Sequence, residues 1–290
     1  MKTLPRLTRP TRSVLLALAV LLLTACQPGV QRTDIDFGQA QLNWSRFIEL
    51  SEKAGPSAKL PGDAASPATP FSAVLSIRYK TPAEGYRFAA YFWGNLRDTS
   101  VYPVRLDVQG FMGATVAKLV EDKRDFLLYD TENNIAHIAE GTQQSLLHIG
   151  LPLPMRLGDL ALLLNGRYQD FFLPGQDATM PKVLAGNSLL EYTYELRHGP
   201  RSGEFTINSQ GQPISWQEAG GQIENGWRFD FAYPEGTQSA SLPGPYKVQA
   251  SHPAGYAITL QIKSLTRPDK IFSPDQLNLL LPTDTKIEKL

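Results

Sequence analysis

The chain has 290 residues, with 28 basic and 28 acidic side chains and a single cysteine. This charge balance argues against a nucleic-acid partner, for which a basic excess is expected. One cysteine excludes a disulfide within the chain, so a hydrophobic core must stabilise the fold, and the length suffices for one large β domain or two small domains.

The first 25 residues have the layout of a secretory signal peptide. Four basic residues precede an uninterrupted apolar run at 14–23, and small residues follow the run. The run is too short for a membrane-spanning helix. We therefore expect residues 1–25 to be removed, which leaves 24 basic and 28 acidic residues and a net charge of −4 in the mature chain.

Cys26 ends the motif Leu23-Thr-Ala-Cys, which resembles the lipobox of bacterial lipoproteins. The resemblance implies that Cys26 becomes the lipidated first residue of the mature chain and holds the protein on a membrane without a spanning helix. In that family an aspartate after the cysteine favours retention in the inner membrane, whereas Gln27 stands here. The resemblance therefore implies the periplasmic face of the bacterial outer membrane.

Three segments are predicted before the main domain. Residues 26–36 are polar and are expected to form a lipidated tether. In 37–53, apolar side chains recur at helical spacing with acidic residues between them, which predicts a short amphipathic helix. These side chains are Leu42, Phe47, Ile48 and Leu50. Residues 54–70 hold four prolines and two glycines, which is typical of a flexible linker.

The pattern from residue 71 onward predicts strands, because apolar and polar residues alternate. Six strands with short links favour an antiparallel meander. They are predicted at 71–80, 86–93, 101–109, 113–121, 126–130 and 135–139.

The third and fourth of these strands form a hairpin with an unusual tip. Where turn chemistry usually supplies Asn, Asp or Gly, the tip carries Phe111 and Met112 between Gly110 and Gly113. Two large apolar side chains on a loop reduce solubility unless something apolar meets them, which suggests a functional surface. The alternative is that the tip folds back and belongs to the core.

The period changes to that of helices at 142–149 and again at 155–164. Asn165 and Gly166 end the second segment, which is apolar almost all round, so it is either deeply buried or covers something apolar. The apolar positions of the two segments are Leu146, Ile149, Leu157, Leu160 and Leu164.

Strands return after these helices, so residues 71–290 are predicted to form one sheet interrupted by two helices. The later strands are predicted at 189–196, 203–209, 214–218, 226–233, 246–250, 256–265, 277–281 and 286–290.

Motifs for catalysis are absent from the sequence. There is no nucleophile elbow, phosphate-binding glycine loop, zinc-type His-Glu-x-x-His or cysteine pair, and the four histidines are dispersed. We therefore expect no enzymatic activity, no metal and no cofactor other than the covalent lipid on Cys26.

Several stretches together resemble the LolA/LolB superfamily of lipoprotein-localisation proteins, and within it the outer-membrane receptor LolB. They are Tyr91-Phe-Trp93, Pro103-Val-Arg-Leu-Asp-Val108, Gly110-Phe-Met-Gly113 and the leucine-rich stretches 146–154 and 157–166. In LolB the tip typically reads Asn-Pro-Leu-Gly, and Met112 stands in the place of its functional leucine, with Phe111 in the place of the proline. This chain departs from the family in its linker at 54–70 and in its extra length after Gly166.

The resemblance implies a mainly β fold with a few helices: an incompletely closed antiparallel β-barrel with a helical lid at 142–166. Its inner face would hold the acyl chains of a lipoprotein, and the leucines of the lid would close the cavity. In this chain the inner wall would be Leu75, Ile77, Phe88, Phe92, Val104, Leu106 and Val108. A solid core would have the same sequence pattern, so the sequence leaves a filled and a hollow barrel open.

The implied function is transfer of acylated lipoprotein cargo from a LolA-like periplasmic carrier into the outer membrane. Phe111 and Met112 would contact the membrane, and the protein would act as a monomer. The alternative is a non-enzymatic scaffold or interaction lipoprotein of the cell envelope on the same β fold. An envelope hydrolase is disfavoured by the absence of catalytic motifs.

Overall fold

A computed structural model of the chain describes residues 35–54, 68–96, 103–123, 125–140, 155–175, 179–197, 201–219, 226–234 and 244–289. Cys26, Leu146 and Ile149 lie outside these residues, as do the signal peptide and most of the predicted tether and linker.

Fourteen strands of the described residues form one sheet. The alternation of apolar and polar residues along the strands gives this sheet one apolar face. On β1 every second residue from Phe71 to Ile77 is buried, so one face contacts the core and the other faces solvent. The first seven strands are β1 Thr69–Lys80, β2 Gly85–Leu96, β3 Val104–Gln109, β4 Thr115–Glu121, β5 Asp125–Asp130, β6 Ile135–Glu140 and β7 Lys182–Gly186. The others are β8 Tyr192–Leu196, β9 Gly203–Ile207, β10 Pro213–Glu218, β11 Arg228–Ala232, β12 Lys247–His252, β13 Tyr256–Thr266 and β14 Lys286–Lys289.

The sheet is open. Its strand order is β14-β6-β5-β4-β3-β2-β1-β13-β12-β11-β10-β9-β8-β7. Neighbours are antiparallel apart from β14, which runs parallel to β6. The two terminal strands of this order do not pair with each other within the described residues, which confirms the prediction of an incompletely closed, mainly β fold with helices.

Four helices accompany the sheet in the described part of the chain: α1 Phe37–Lys53, α2 Leu157–Leu164, α3 Tyr168–Phe172 and α4 Pro274–Leu277. Helix α1 has the bounds that the sequence predicts, and the Asp36 side chain caps it by accepting a hydrogen bond from the Gln39 backbone N–H (3.0 Å). Its buried face includes Trp44 and Phe47, whereas Leu42, which was expected in the apolar stripe, is 52% exposed.

Aromatic residues build much of the core between the helices and the sheet. The rings of Trp44 and Tyr194 lie 5.2 Å apart, and those of Phe172 and Phe205 lie 4.2 Å apart. Residues Ile35–Leu290 form one compact unit, and every residue of this core lies within it. This part of the chain therefore has the core that it needs to fold on its own.

The segment after β13 packs against the outer face of the sheet. The Trp93 indole N–H donates to the Gln276 carbonyl (3.3 Å), and an Arg105 N–H donates to the Asn278 carbonyl (2.9 Å). The chain then adds β14 to the edge of the sheet. The extra length after Gly166 thus supplies the strands from β7 to β14 and this outer segment.

Some predicted elements are wrong or shifted. The strand predicted at 277–281 is wrong: Leu277 ends α4, which Pro274 and the Ser273 cap start, and residues 278–281 form neither helix nor strand. Helix α3 and strand β7 were not predicted. Strand β1 begins at Thr69, so the last two residues of the predicted linker belong to the sheet.

Candidate functional site

The tip between β3 and β4 is a one-turn 3-10 helix, Phe111–Gly113. Met112 has a φ of 66°, a left-handed conformation that residues with a side chain seldom adopt, and it is 90% exposed. The Gly110 N–H donates to the Ala114 carbonyl (2.9 Å) and closes the turn. Met112 therefore does not fold back into the core, and the Phe111 side chain lies outside the described part of the structure.

The seven wall residues share one face of the sheet. The register pairs Ile77 with Phe88 on β1 and β2, and Phe92 with Leu106 on β2 and β3. Five of them are at most 4% exposed, and Phe88 and Val108 are partly buried. Exposures this small mean that other atoms of the protein surround those five side chains. In this structure the wall is therefore covered.

Helix α2 lies over the part of this wall that β2 and β3 form. It packs against β2 and β3, and Leu157, Leu160 and Leu164 are at most 3% exposed. This helix is the described half of the predicted lid, since the other half lies at 142–149. An acyl chain would reach the wall only if α2 moved away from it.

Buried charged groups fix the N-terminus of α2. The Glu121 carboxylate is fully buried and accepts hydrogen bonds from the backbone N–H groups of Leu157 (2.8 Å) and Gly158 (3.3 Å). A carboxylate at a helix N-terminus satisfies donors that have no partner within the helix and complements the helix dipole. The sheet thus holds the start of α2 through a polar contact.

A second contact joins α2 to the loop between β8 and β9. Asp159 and Arg201 form a buried ion pair (2.6 Å), and Asp159 also accepts from the Arg156 backbone N–H (2.9 Å). The Arg201 guanidinium lies 4.8 Å from the Phe171 ring centroid. Burial lowers the pKa of Arg201, and the neighbouring Asp159 opposes that change.

The sequence interpretation did not include these charged residues. Glu121 follows Ala117 and Leu119 on the inward positions of β4, so the alternation of that strand could have indicated its burial. No pattern in the sequence indicated that Arg201 would meet Asp159, since they are 42 residues apart.

An open cavity of about 600 Å³ lies at the turn end of the β1–β2 hairpin, lined mainly by residues 78–87 with Ala257 and Thr259. On the face of the hairpin that carries Ile77, the rings of Tyr79, Tyr86 and Phe88 stack in sequence, at 6.3 and 6.2 Å between centroids. The Tyr86 hydroxyl donates to the Glu84 carboxylate, and this bond raises the pKa of Tyr86. The sequence did not predict this cavity.

Neither a spanning helix nor a metal cluster occurs among the described residues. None of their helices combines the length and apolar composition needed to cross a bilayer. No three of their His, Cys, Asp or Glu side chains form a group that could hold a metal ion.

The site thus belongs to an open-sheet β protein with a leucine-rich helix over its apolar face and an exposed methionine at a hairpin tip. No protein-family model matches the chain, and no curated protein does. Solved structures with a similar fold include a LolA superfamily protein from Nitrosomonas europaea, with 12% identity, 80% of this chain and 97% of that chain covered, and a TM-score of 0.44.

Two further structures are similar at the same level. A putative outer membrane lipoprotein-sorting protein domain from Vibrio parahaemolyticus has 10% identity, covers 82% of this chain and 97% of that chain, and gives a TM-score of 0.47. A DUF1329 family protein from Desulfovibrio piger has 9% identity, with 82% and 99% covered and a TM-score of 0.48.

Proposed function

We propose that this chain is a lipid-anchored protein of the bacterial cell envelope that holds acyl chains and passes lipoproteins into the outer membrane. Cys26 would carry the anchor, and a LolA-like periplasmic carrier would deliver the acylated cargo. The observation that carries the proposal is the 90% exposure of Met112, an apolar side chain held outward by a left-handed turn. An apolar group in that position suits insertion into a bilayer.

The wall and α2 support the acyl-binding step. Removing acyl chains from water is worth about 0.8 kcal/mol per methylene, so cargo with two or three chains would leave for water very slowly. A sheltered hand-over is therefore needed, and it requires no covalent chemistry. Displacement of α2 would expose the apolar wall to the acyl chains of the cargo. Contacts between the acyl chains and the wall would then replace the contacts that the α2 leucines make.

The covered wall favours a second candidate, a scaffold or interaction lipoprotein of the envelope. Side chains as buried as Phe92 and Val104, both 0% exposed, are also typical of a permanent core. In that case Met112 would dock on another protein. Stoichiometric co-purification of one protein partner, with no lipid found by mass spectrometry, would support this candidate.

Substitution of Met112 tests the transfer role. We expect Met112→Glu to fold normally, because the side chain is exposed, and to lower the rate of lipoprotein delivery to membranes by at least about tenfold, since a buried Met contributes about 2 kcal/mol. Delivery is measured as cargo that passes from its carrier complex into vesicles.

Leu280→Glu is the matched control, because Leu280 is 88% exposed but lies in the segment between α4 and β14. This variant should deliver cargo at the normal rate. Normal delivery by Met112→Glu, or an equal loss in both variants, would contradict the role assigned to the tip.

A further inference from the structure

Three basic side chains cluster at the turn end of the β1–β2 hairpin. Arg78 and Arg87 are direct partners across the two strands, and Lys80 is two residues further along β1. All three are exposed. Like charges placed directly opposite on neighbouring strands destabilise a sheet. The pair therefore costs stability unless an anion lies between or beside the two guanidinium groups.

Among the residues that the structure describes, no acidic side chain is paired with this cluster. In the described part of the chain, none of the three residues takes part in an ion pair, although other exposed arginines do, such as Arg228 with Asp230. Glu84 is the one acidic residue that lines the neighbouring cavity, and its carboxylate accepts a hydrogen bond from Tyr86. The cluster is a local excess of positive charge on a mature chain whose expected net charge is negative.

A cavity at the turn end of the hairpin adjoins these basic residues. Its volume of about 600 Å³ is bounded by the three basic residues together with Tyr79 and Tyr86. Tyr86 is 46% exposed. Because successive strand residues point to opposite faces, Tyr79 and Tyr86 lie on the face of Ile77 and Phe88, and the three basic residues lie on the other face. Tyrosine rings and long cationic side chains both suit the interface of a bilayer, so each face of the hairpin end carries groups of that kind.

The register places the cluster beside the tip. Ala89 on β2 pairs with Gln109 on β3, so the two residues before Ala89 continue alongside the turn that carries Met112. Arg87 is one of those two residues. The basic cluster and the exposed methionine therefore lie on adjacent hairpin ends of the same sheet.

We propose that Arg78, Lys80 and Arg87 bind the phosphate groups of anionic phospholipids at the bilayer surface while Met112 enters the acyl region. This inference rests on the proposed function, since it names the class of lipid that the two hairpin ends beside Met112 would recognise in the membrane. The basic cluster would orient the hairpin ends toward the membrane, and the tip would contribute the apolar contact. Each juxtamembrane Lys or Arg adds about 1 kcal/mol of attraction to an anionic surface.

The test compares binding of residues 35–290, which lack the lipid anchor, to two kinds of vesicle. One kind is phosphatidylcholine alone, and the other is an equimolar mixture of phosphatidylcholine and phosphatidylglycerol. Flotation of the vesicles gives the bound fraction. We expect tighter binding to the anionic vesicles, a preference that falls as salt is added, and a loss of about 30-fold in that preference in Arg78→Gln/Arg87→Gln.

Lys182→Gln/Lys263→Gln is the control, because it removes the same charge from two exposed lysines elsewhere on the sheet. It should keep the preference. Equal binding of the unsubstituted protein to both vesicles, or an equal loss in the control, would overturn the inference. So would competition by inorganic phosphate alone at low millimolar concentration, which would indicate a site for a free anion.

Failure of this inference can be distinguished from failure of the proposed function. Acyl binding is read separately, by displacement of a fluorescent hydrophobic probe with lipopeptide, and Arg78→Gln/Arg87→Gln should leave that displacement unchanged. Absence of the anionic preference in the unsubstituted protein, with probe binding retained, would overturn the inference and leave acyl binding in place. Absence of probe binding with the preference retained would overturn acyl binding and leave the headgroup site in place.

Discussion

Individual buried charges decide how firmly α2 is held. The Asp159 and Arg201 side chains are 12% and 6% exposed, so their ion pair is poorly solvated. Removing one partner of such a pair is costly, because the other charge stays buried without its counterion. The pair therefore stabilises the covered state of the wall.

Asp159→Asn should lower the free energy of unfolding by about 3 kcal/mol, measured by urea denaturation. The matched control is Asp230→Asn, which breaks the exposed pair with Arg228 and should cost less than about 1 kcal/mol. A similar small loss in both variants would mean that the buried pair contributes little to holding α2.

For single residues, the sequence predicted that Met112 lies at a hairpin tip but did not predict its conformation or its neighbours. A tip flanked by glycines could be identified from the alternation of β3 and β4 alone. Whether Met112 projects or folds back depends on a single backbone dihedral angle, which no sequence pattern specifies. The pairing of Arg78 with Arg87 likewise depends on the length of the turn between their strands.

Among the elements, α2 is the one that must move if acyl chains are to reach the wall. It packs on the β2 and β3 part of the wall, and polar contacts to Glu121 and Arg201 hold its first turn. Those contacts give α2 one defined closed position. Helix α1, in contrast, packs through Trp44 and Phe47 against a different part of the core.

Hydrogen exchange measures this movement directly. With bound lipopeptide, the backbone amides of α2 should exchange faster than in the free protein, because the chains displace the helix from the wall. The amides of α1 and of β2 should be unchanged. Unchanged or slower exchange in α2 would contradict the role of this helix as a movable lid.

Elements with strong local signals were predicted well, and those that depend on distant partners were not. The bounds of helix α1 were predicted from its apolar spacing, although Leu42 of that stripe is exposed. The strand predicted at 189–196 starts only at Tyr192, because the Asn187 side chain accepts backbone hydrogen bonds from Leu189 and Glu191 and forms a turn. Strand β14 lies beside β6, a pairing across about half of the chain.

For the whole molecule, the sequence predicted the fold class and left the state of the interior open. The alternation of apolar and polar residues indicated which faces of the strands are apolar. The same alternation is expected whether helices or ligands cover those faces. The order of strands in the sheet, with β13 beside β1, comes from long-range pairing that alternation does not encode. The structure has a covered wall, so the proposed acyl binding would require a rearrangement.

The central claim is that this wall accepts acyl chains, and probe displacement tests it most directly. Residues 35–290 are titrated with a fluorescent hydrophobic probe, and a lipopeptide is then added, with the same peptide lacking acyl chains as the control. The account predicts saturable probe binding, displacement by the lipopeptide with matching stoichiometry and no displacement by the bare peptide. Absence of saturable binding, or equal displacement by both peptides, would contradict it.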